Sequence, residues 1–221
     1  DEVKNEEGIE IRNNLYGEIH GDGFQFLDDT KFGKVLSLSE KGKNYIELPK
    51  GTVANEESIS ITGWLYLTSS NANQYFFDFG ESNKAHFFVA PTGTKENDGL
   101  VAEITTAKGA MYQTLSSGVK VNEWNHVAVT INIPSKTIAT YVNGKLVKET
   151  ENVEVILAEL FDNNSGENNK FYIGKSVSSK SYLDAKLYDF RIYRIPLSKK
   201  QVARIYKNAL SDGESVVNER E

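Results

Sequence analysis

Cysteine is absent from all 221 residues. That excludes disulfides, thiol nucleophiles and cysteine-ligated zinc or iron–sulfur centres. Methionine occurs once, at Met111, tryptophan twice and proline four times. The chain begins at Asp1, so it reads as a mature or excised segment, with any targeting signal or neighbouring domain outside it. Positive charge is in deficit, 25 Lys and Arg against 31 Asp and Glu, for a net −6. A dedicated nucleic-acid binder needs a basic stripe, and docking on an anionic membrane needs one too. No apolar run approaches the roughly 18 residues that mark a membrane span. There is no Gly-x-Ser-x-Gly elbow, no phosphate loop and no dinucleotide fingerprint; "GEIHGDG" (17–23) lacks the strand-to-helix context.

What is present is enough apolar material for one large domain, 39% hydrophobic with 25% charged, written mostly with a period of two. In "SISITGWLYLT" (58–68), Ile59, Ile61, Leu65 and Leu67 fall on one face and Ser60, Thr62, Trp64 and Tyr66 on the other. In 124–131, Val127, Val129 and Ile131 oppose Trp124, His126, Ala128 and Thr130. Further short strands are expected in "KVLSLS" (34–39), "NYIELP" (44–49), "YFFDFG" (75–80), "AHFFVAP" (85–91), "LVAEITT" (100–106), "MYQTLSS" (111–117), "KFYIGK" (170–175) and "AKLYDFRIYR" (185–194). Asn143-Gly144 between two alternating runs predicts a type I′ hairpin, because both central positions then need positive φ. After Pro196 the period changes. "SKKQVARIYKNAL" (198–210) places Val202, Ile205, Tyr206, Ala209 and Leu210 on one helical face, Ser198 and Gln201 form a capping box, and Gly213 is the expected stop. About a dozen strands and one terminal helix predict an all-β sandwich or jelly roll. It has an arm over 1–14, a domain over 15–210 and a tail over 211–221.

The motifs "GWLYL" (63–67), "FFDFG" (76–80), "EWNHVAVT" (123–130), "YVNGKLV" (141–147), "YIGK" (172–175) and "LYDFRIYRIPLS" (187–198) stand in the order and spacing of a known family. The chain resembles the laminin-G-like, concanavalin-A-like jelly-roll modules appended to bacterial extracellular glycoside hydrolases and surface proteins. The resemblance covers about residues 13–210. It implies two antiparallel sheets, a concave face, a secreted or cell-surface setting and a structural calcium ion. The family's last strand often carries two adjacent acids; here the first is Tyr188 and only Asp189 remains. The calcium expected from the resemblance ties Asn14 of the arm to Asp189; the alternative is an ion pair between Asp189 and Arg191.

Glycan-cutting enzymes on this general fold place carboxylates two residues apart on one strand, supplying nucleophile and acid together. No such run exists. Glu103 and Asp78 stand alone, and the sequence leaves open whether acids from different strands converge. His20, His86 and His126 are far apart in sequence, and a lone histidine makes no triad. Sugar binding stacks aromatic rings on sugar faces. The candidates are Tyr112, Tyr75, Trp64 and Tyr66, with Trp124 as a further ring, each of which equally serves packing. Tyr75 and Tyr112 flank polar loops, and the Ser60–Tyr66 face is expected to look toward solvent. The sequence thus points to a non-catalytic carbohydrate-binding module of a larger extracellular protein, whose partners are a glycan and neighbouring domains. The competing reading is a structural or adhesion module with no sugar site.

Overall fold

The computed structural model describes residues 2–4, 10–12, 17–50, 52–53, 57–81, 84–95, 98–161 and 169–218; Asn14 lies outside them. The strands in chain order are β1 (Glu2–Lys4), β2 (Glu10–Arg12), β3 (Glu18–His20), β4 (Gln25–Asp29), β5 (Gly33–Leu38), β6 (Tyr45–Glu47), β7 (Ile59–Leu67) and β8 (Phe77–Gly80). They continue as β9 (His86–Ala90), β10 (Leu100–Thr105), β11 (Met111–Ser116), β12 (Trp124–Asn132), β13 (Thr137–Val142), β14 (Lys145–Glu151), β15 (Lys170–Ile173) and β16 (Ala185–Tyr193). Among the described residues two helices are present, the single turn α1 (Leu157–Leu160) and the long α2 (Lys199–Asn218).

Two seven-stranded antiparallel sheets face each other. The front sheet runs β11-β10-β9-β8-β15-β6-β3 and the back sheet β14-β13-β12-β7-β16-β5-β4, while β1 and β2 form a separate ribbon. The expected all-β sandwich with a C-terminal helix is what the chain forms. The central strands of both sheets contribute their inward residues to one core. Ile59, Ile61, Leu65 and Leu67 of β7 meet Phe77, Phe79 and Phe87 of the front sheet there. Burial of this kind contributes about 25 cal/mol per Å² of apolar surface. The inward position left bare on β7 is Gly63, where a Cβ would lie 2.8 Å from the Phe76 ring. Its absence is what lets that ring into the middle of the core.

One side of the sandwich is sewn shut. Edge strand β11 approaches edge strand β14, and Thr150 Oγ1 donates to the Gln113 carbonyl at 2.8 Å. The hairpin turn adopts the expected geometry, with φ of 50° at Asn143 and 74° at Gly144.

The outward face of the back sheet corrects an expectation. It is not open to solvent around Trp64, because α2 lies across it. Val202 and Ile205 pack on Ala128, Ala139 and Tyr141. Tyr206, Ala209 and Leu210 pack with Phe32, Val35 and Trp64. The capping box forms as read: Gln201 N donates to Ser198 Oγ at 3.3 Å, and Ser198 N to Gln201 Oε1 at 2.8 Å. The helix does not stop at Gly213 but continues to Asn218, since an interior glycine costs a helix only about 1 kcal/mol. The approach to α2 is fixed by buried Ser60, whose hydroxyl donates to the Ile195 carbonyl and accepts from Leu197 N, both at 2.8 Å. β3 and β4 were not legible as strands: Glu18–His20 is too short, and "QFLDD" shows no alternation.

Candidate functional site

The outward face of the front sheet carries a set of polar and aromatic side chains, and pairing registers fix their rows. Glu47 stands opposite Tyr172, Tyr172 opposite Asp78, Asp78 opposite Phe88, Phe88 opposite Glu103, and Glu103 opposite Gln113. In the next row Gly80 faces His86, and His86 faces Thr105. His86 therefore has an acid diagonal to it on each flanking strand, Asp78 on β8 and Glu103 on β10.

Asp78 is completely buried, and its charge is answered on both oxygens. Oδ1 lies 3.2 Å from His86 Nδ1, while Oδ2 accepts from Ser176 Oγ at 3.2 Å and Val177 N at 2.9 Å. A buried carboxylate needs such partners. Burial alone would lower the pKa of His86, but its hydrogen bond to Asp78 and the charges of Asp78 and Glu103 outweigh this and hold it above the ordinary histidine value. Glu103 accepts from Thr105 Oγ1 at 3.3 Å and from Gln113 Nε2 at 3.2 Å. Tyr75 packs edge-on against Phe88 at 5.3 Å between centroids, above Ala90 and Val101.

Toward the β3 edge, Tyr45, Tyr172 and Tyr182 surround the Lys175 ammonium, which lies 4.2, 4.5 and 5.8 Å from their ring centres. His20 stacks on Tyr45 at 4.7 Å. Burial, helped by the charge of Glu47, pushes the Tyr172 phenol up to about 12, so the phenol stays protonated.

The four aromatic candidates do not converge. Tyr75 lies on this front face. Tyr112 points between the sheets at the sewn edge, packed on the core, with its hydroxyl donating to the Glu154 carbonyl at 3.3 Å. Glu154 also lines a cavity of about 370 Å³ walled by Ile133, Val153, Val155 and Leu160. Tyr66 is on the outward face of the back sheet, partly exposed, beneath Lys186 and edge-on to Trp124; Trp124 donates its indole N–H to the Asp29 carboxylate. Trp64 is 1% exposed and stacks on Tyr206 at 5.4 Å. Its ring is covered by α2, so the expectation that it meets a sugar gives way to a packing role.

The calcium expectation meets a poor donor set. Asp189 sits at a bulge in β16, with φ of 53°, and its carboxylate accepts from Arg191 Nε at 2.5 Å. A guanidinium already in place opposes a second cation there. Among the described residues no group of three or more His, Asp or Glu gathers as metal ligands. Asn14, the other expected ligand, lies outside the described residues, and Asp189 itself adopts the ion-pair alternative.

Sequence reasoning named Asp78, His86 and Glu103 singly and did not join them. The signal that could have joined them is the run β8-β9-β10-β11, consecutive strands paired antiparallel, whose registers follow from their connecting turns. Tyr45, Tyr172, Tyr182 and Lys175 had no such signal, because β15 and β6 pair across more than a hundred residues.

A family model described as the Concanavalin A-like lectin/glucanases superfamily matches residues 40–203. No curated protein sequence matches the chain. Among solved structures, the chain is similar to domain 4 of AbnA, an extracellular GH43 arabinanase of Geobacillus stearothermophilus, in complex with arabinotriose. The TM-score is 0.71 at 19% identity, covering 89% of this chain and 91% of that one. The binding domain of Paraclostridial Mosquitocidal Protein 1 aligns with a TM-score of 0.68 at 17% identity, over 89% of this chain and 48% of that one. The ligand-binding domain of botulinum neurotoxin serotype D, in complex with N-acetylneuraminic acid, aligns at 0.63 and 15%, over 93% and 50%. The chain thus spans about half of the toxin domains it resembles. At these identities the likeness is one of fold, while the family match covers most of the chain: it belongs to the concanavalin A-like lectin/glucanases superfamily, as a laminin-G-type jelly roll.

Proposed function

We propose that this chain is a non-catalytic carbohydrate-binding module of a secreted or cell-surface bacterial protein, holding a glycan-active neighbour on its polysaccharide. The observation that carries the reading is the front face itself, where Tyr75, His86, Glu103 and Gln113 share one surface with the Tyr45–Tyr172–Tyr182 group. Sugars are held by ring faces and planar polar groups in such combinations. The solved arabinanase domain with bound arabinotriose supports the reading by likeness of fold. Binding suits the site better than hydrolysis, because cleavage needs two available carboxylates and Asp78 has both oxygens engaged within the protein. Among the described residues no helix is long and apolar enough to cross a membrane.

The test is calorimetric titration of the chain with arabino-oligosaccharides and a wider glycan panel. Binding is expected, weakened by Tyr75→Ala while the fold is retained. The competing adhesion reading draws on Phe24, just before edge strand β4, and Phe26 within it, exposed by 39% and 60%. If no glycan binds, and Phe26→Asp abolishes attachment to a neighbouring domain, that reading replaces this one.

A further inference from the structure

Building on the glycan-binding reading, we propose that the ligand is an uncharged sugar, read at the middle of the front face by His86 together with Glu103 and Gln113.

The geometry separates what serves the fold from what is left for a ligand. Asp78 is spent inside the protein, and its role is to orient His86: it holds Nδ1, so Nε2 is the imidazole atom left to meet a ligand. Asp78 is thus a positioning residue. Glu103 sits diagonally across from His86, at the roughly 7–8 Å spacing of such pairs. Its carboxylate is steadied by Thr105 and Gln113 and is only partly buried. Gln113 is anchored in turn, because its own carbonyl is bonded by Thr150. A ligand at this spot meets an imidazole nitrogen, a carboxylate that only accepts, and an amide that donates and accepts. Adjacent hydroxyl groups match that set, since each is both donor and acceptor.

Charge decides the class of sugar. The groups facing His86 are Asp78 from β8, Glu103 from β10, Tyr75 from the segment before β8 and, beyond Gly80, Lys170 from β15. Lys170 is itself paired with Glu47 at 3.4 Å. Two carboxylates against one imidazole give the centre a surplus of negative charge, which disfavours uronates, sialosides and sulfated sugars. With His86 protonated Nε2 donates to a hydroxyl oxygen, and with His86 neutral it accepts a hydroxyl proton, so the hydrogen-bond pattern offered changes as it titrates.

The experiment titrates the chain with neutral arabino- and xylo-oligosaccharides, and with oligogalacturonate and sialyllactose as charged probes. Neutral sugars are expected to bind and the charged probes not. Glu103→Gln and His86→Gln are each expected to weaken binding about tenfold, the scale of one buried hydrogen bond to a charged or polar partner. The pH profile of affinity is expected to inflect where the His86 imidazole titrates by NMR and to flatten in His86→Gln. Gln113→Ala and Glu103→Gln guard against a His86 variant that fails to fold. A neutral sugar bound equally well by Glu103→Gln and Gln113→Ala overturns this assignment while leaving the glycan reading intact. Tighter binding of the charged probes overturns the class of ligand. Binding of none of the probes removes the glycan reading and this inference with it.

Discussion

His126 lies beneath α2, 1% exposed, with its Nδ1 unpartnered among the described residues. Burial, with repulsion from Arg191, lowers its pKa to about 4. The unfolded chain then binds the extra proton first. The neutral ring's contribution is whole above the ordinary histidine value and falls away as pH drops from about 6.5 toward 4, by about 3 kcal/mol in all. Urea unfolding at pH 7 and at pH 4.5 measures it, and His126→Gln should remove that part of the slope. His86 runs the other way. Its raised pKa makes the protonated ring the stabilising form, so its contribution is present below about 6.5 and is lost as pH rises through the folded value. The third residue to watch is Trp64. Truncating so large a buried ring to alanine should cost about 3–5 kcal/mol in chemical denaturation. A Trp64→Ala protein of unchanged stability with sugar binding lost would show that the ring belongs to a ligand and not to the packing under α2.

Among the elements, α2 and the β13–β14 hairpin depend on one another. A Cβ at Gly144 would meet the Tyr206 ring at 3.0 Å, in a backbone conformation with φ of 74°. Gly144→Ala should therefore lower stability by more than about 1 kcal/mol, readable as a drop in Tm. Ser198→Ala removes half of the capping box and should cost about 1 kcal/mol by the same measurement. Most of these elements were legible in the sequence. Period two separates the faces of β7 and β12, Asn-Gly fixes the hairpin, and spacing of three and four marks the apolar side of α2. Alternation says that a strand has two faces but not what covers each. The Ser60–Tyr66 face therefore read as solvent-facing, when α2 in fact covers it. The candidate site was less legible still. Its central residues needed four strand registers joined, and its tyrosine cluster needed a pairing of β6 with β15 that no local signal carries.

At the scale of the molecule, the two sheets bring acids and bases together without gathering oxygen ligands on the described residues. With Asp189 already neutralised by Arg191, millimolar calcium or its chelation should leave Tm unchanged in a thermal scan. A rise of several degrees on adding calcium would instead place an ion at the last strand.

The order of strands in the back sheet bears on how the molecule is made. β16, the last of the described strands, lies in the middle of its sheet, between β7 and β5. On the ribosome, both neighbours emerge long before the strand that pairs with each of them. Their edges stay unpaired until residue 193 has left the exit tunnel. Any stop before β16 therefore leaves this sheet split down its centre, between β7 and β5.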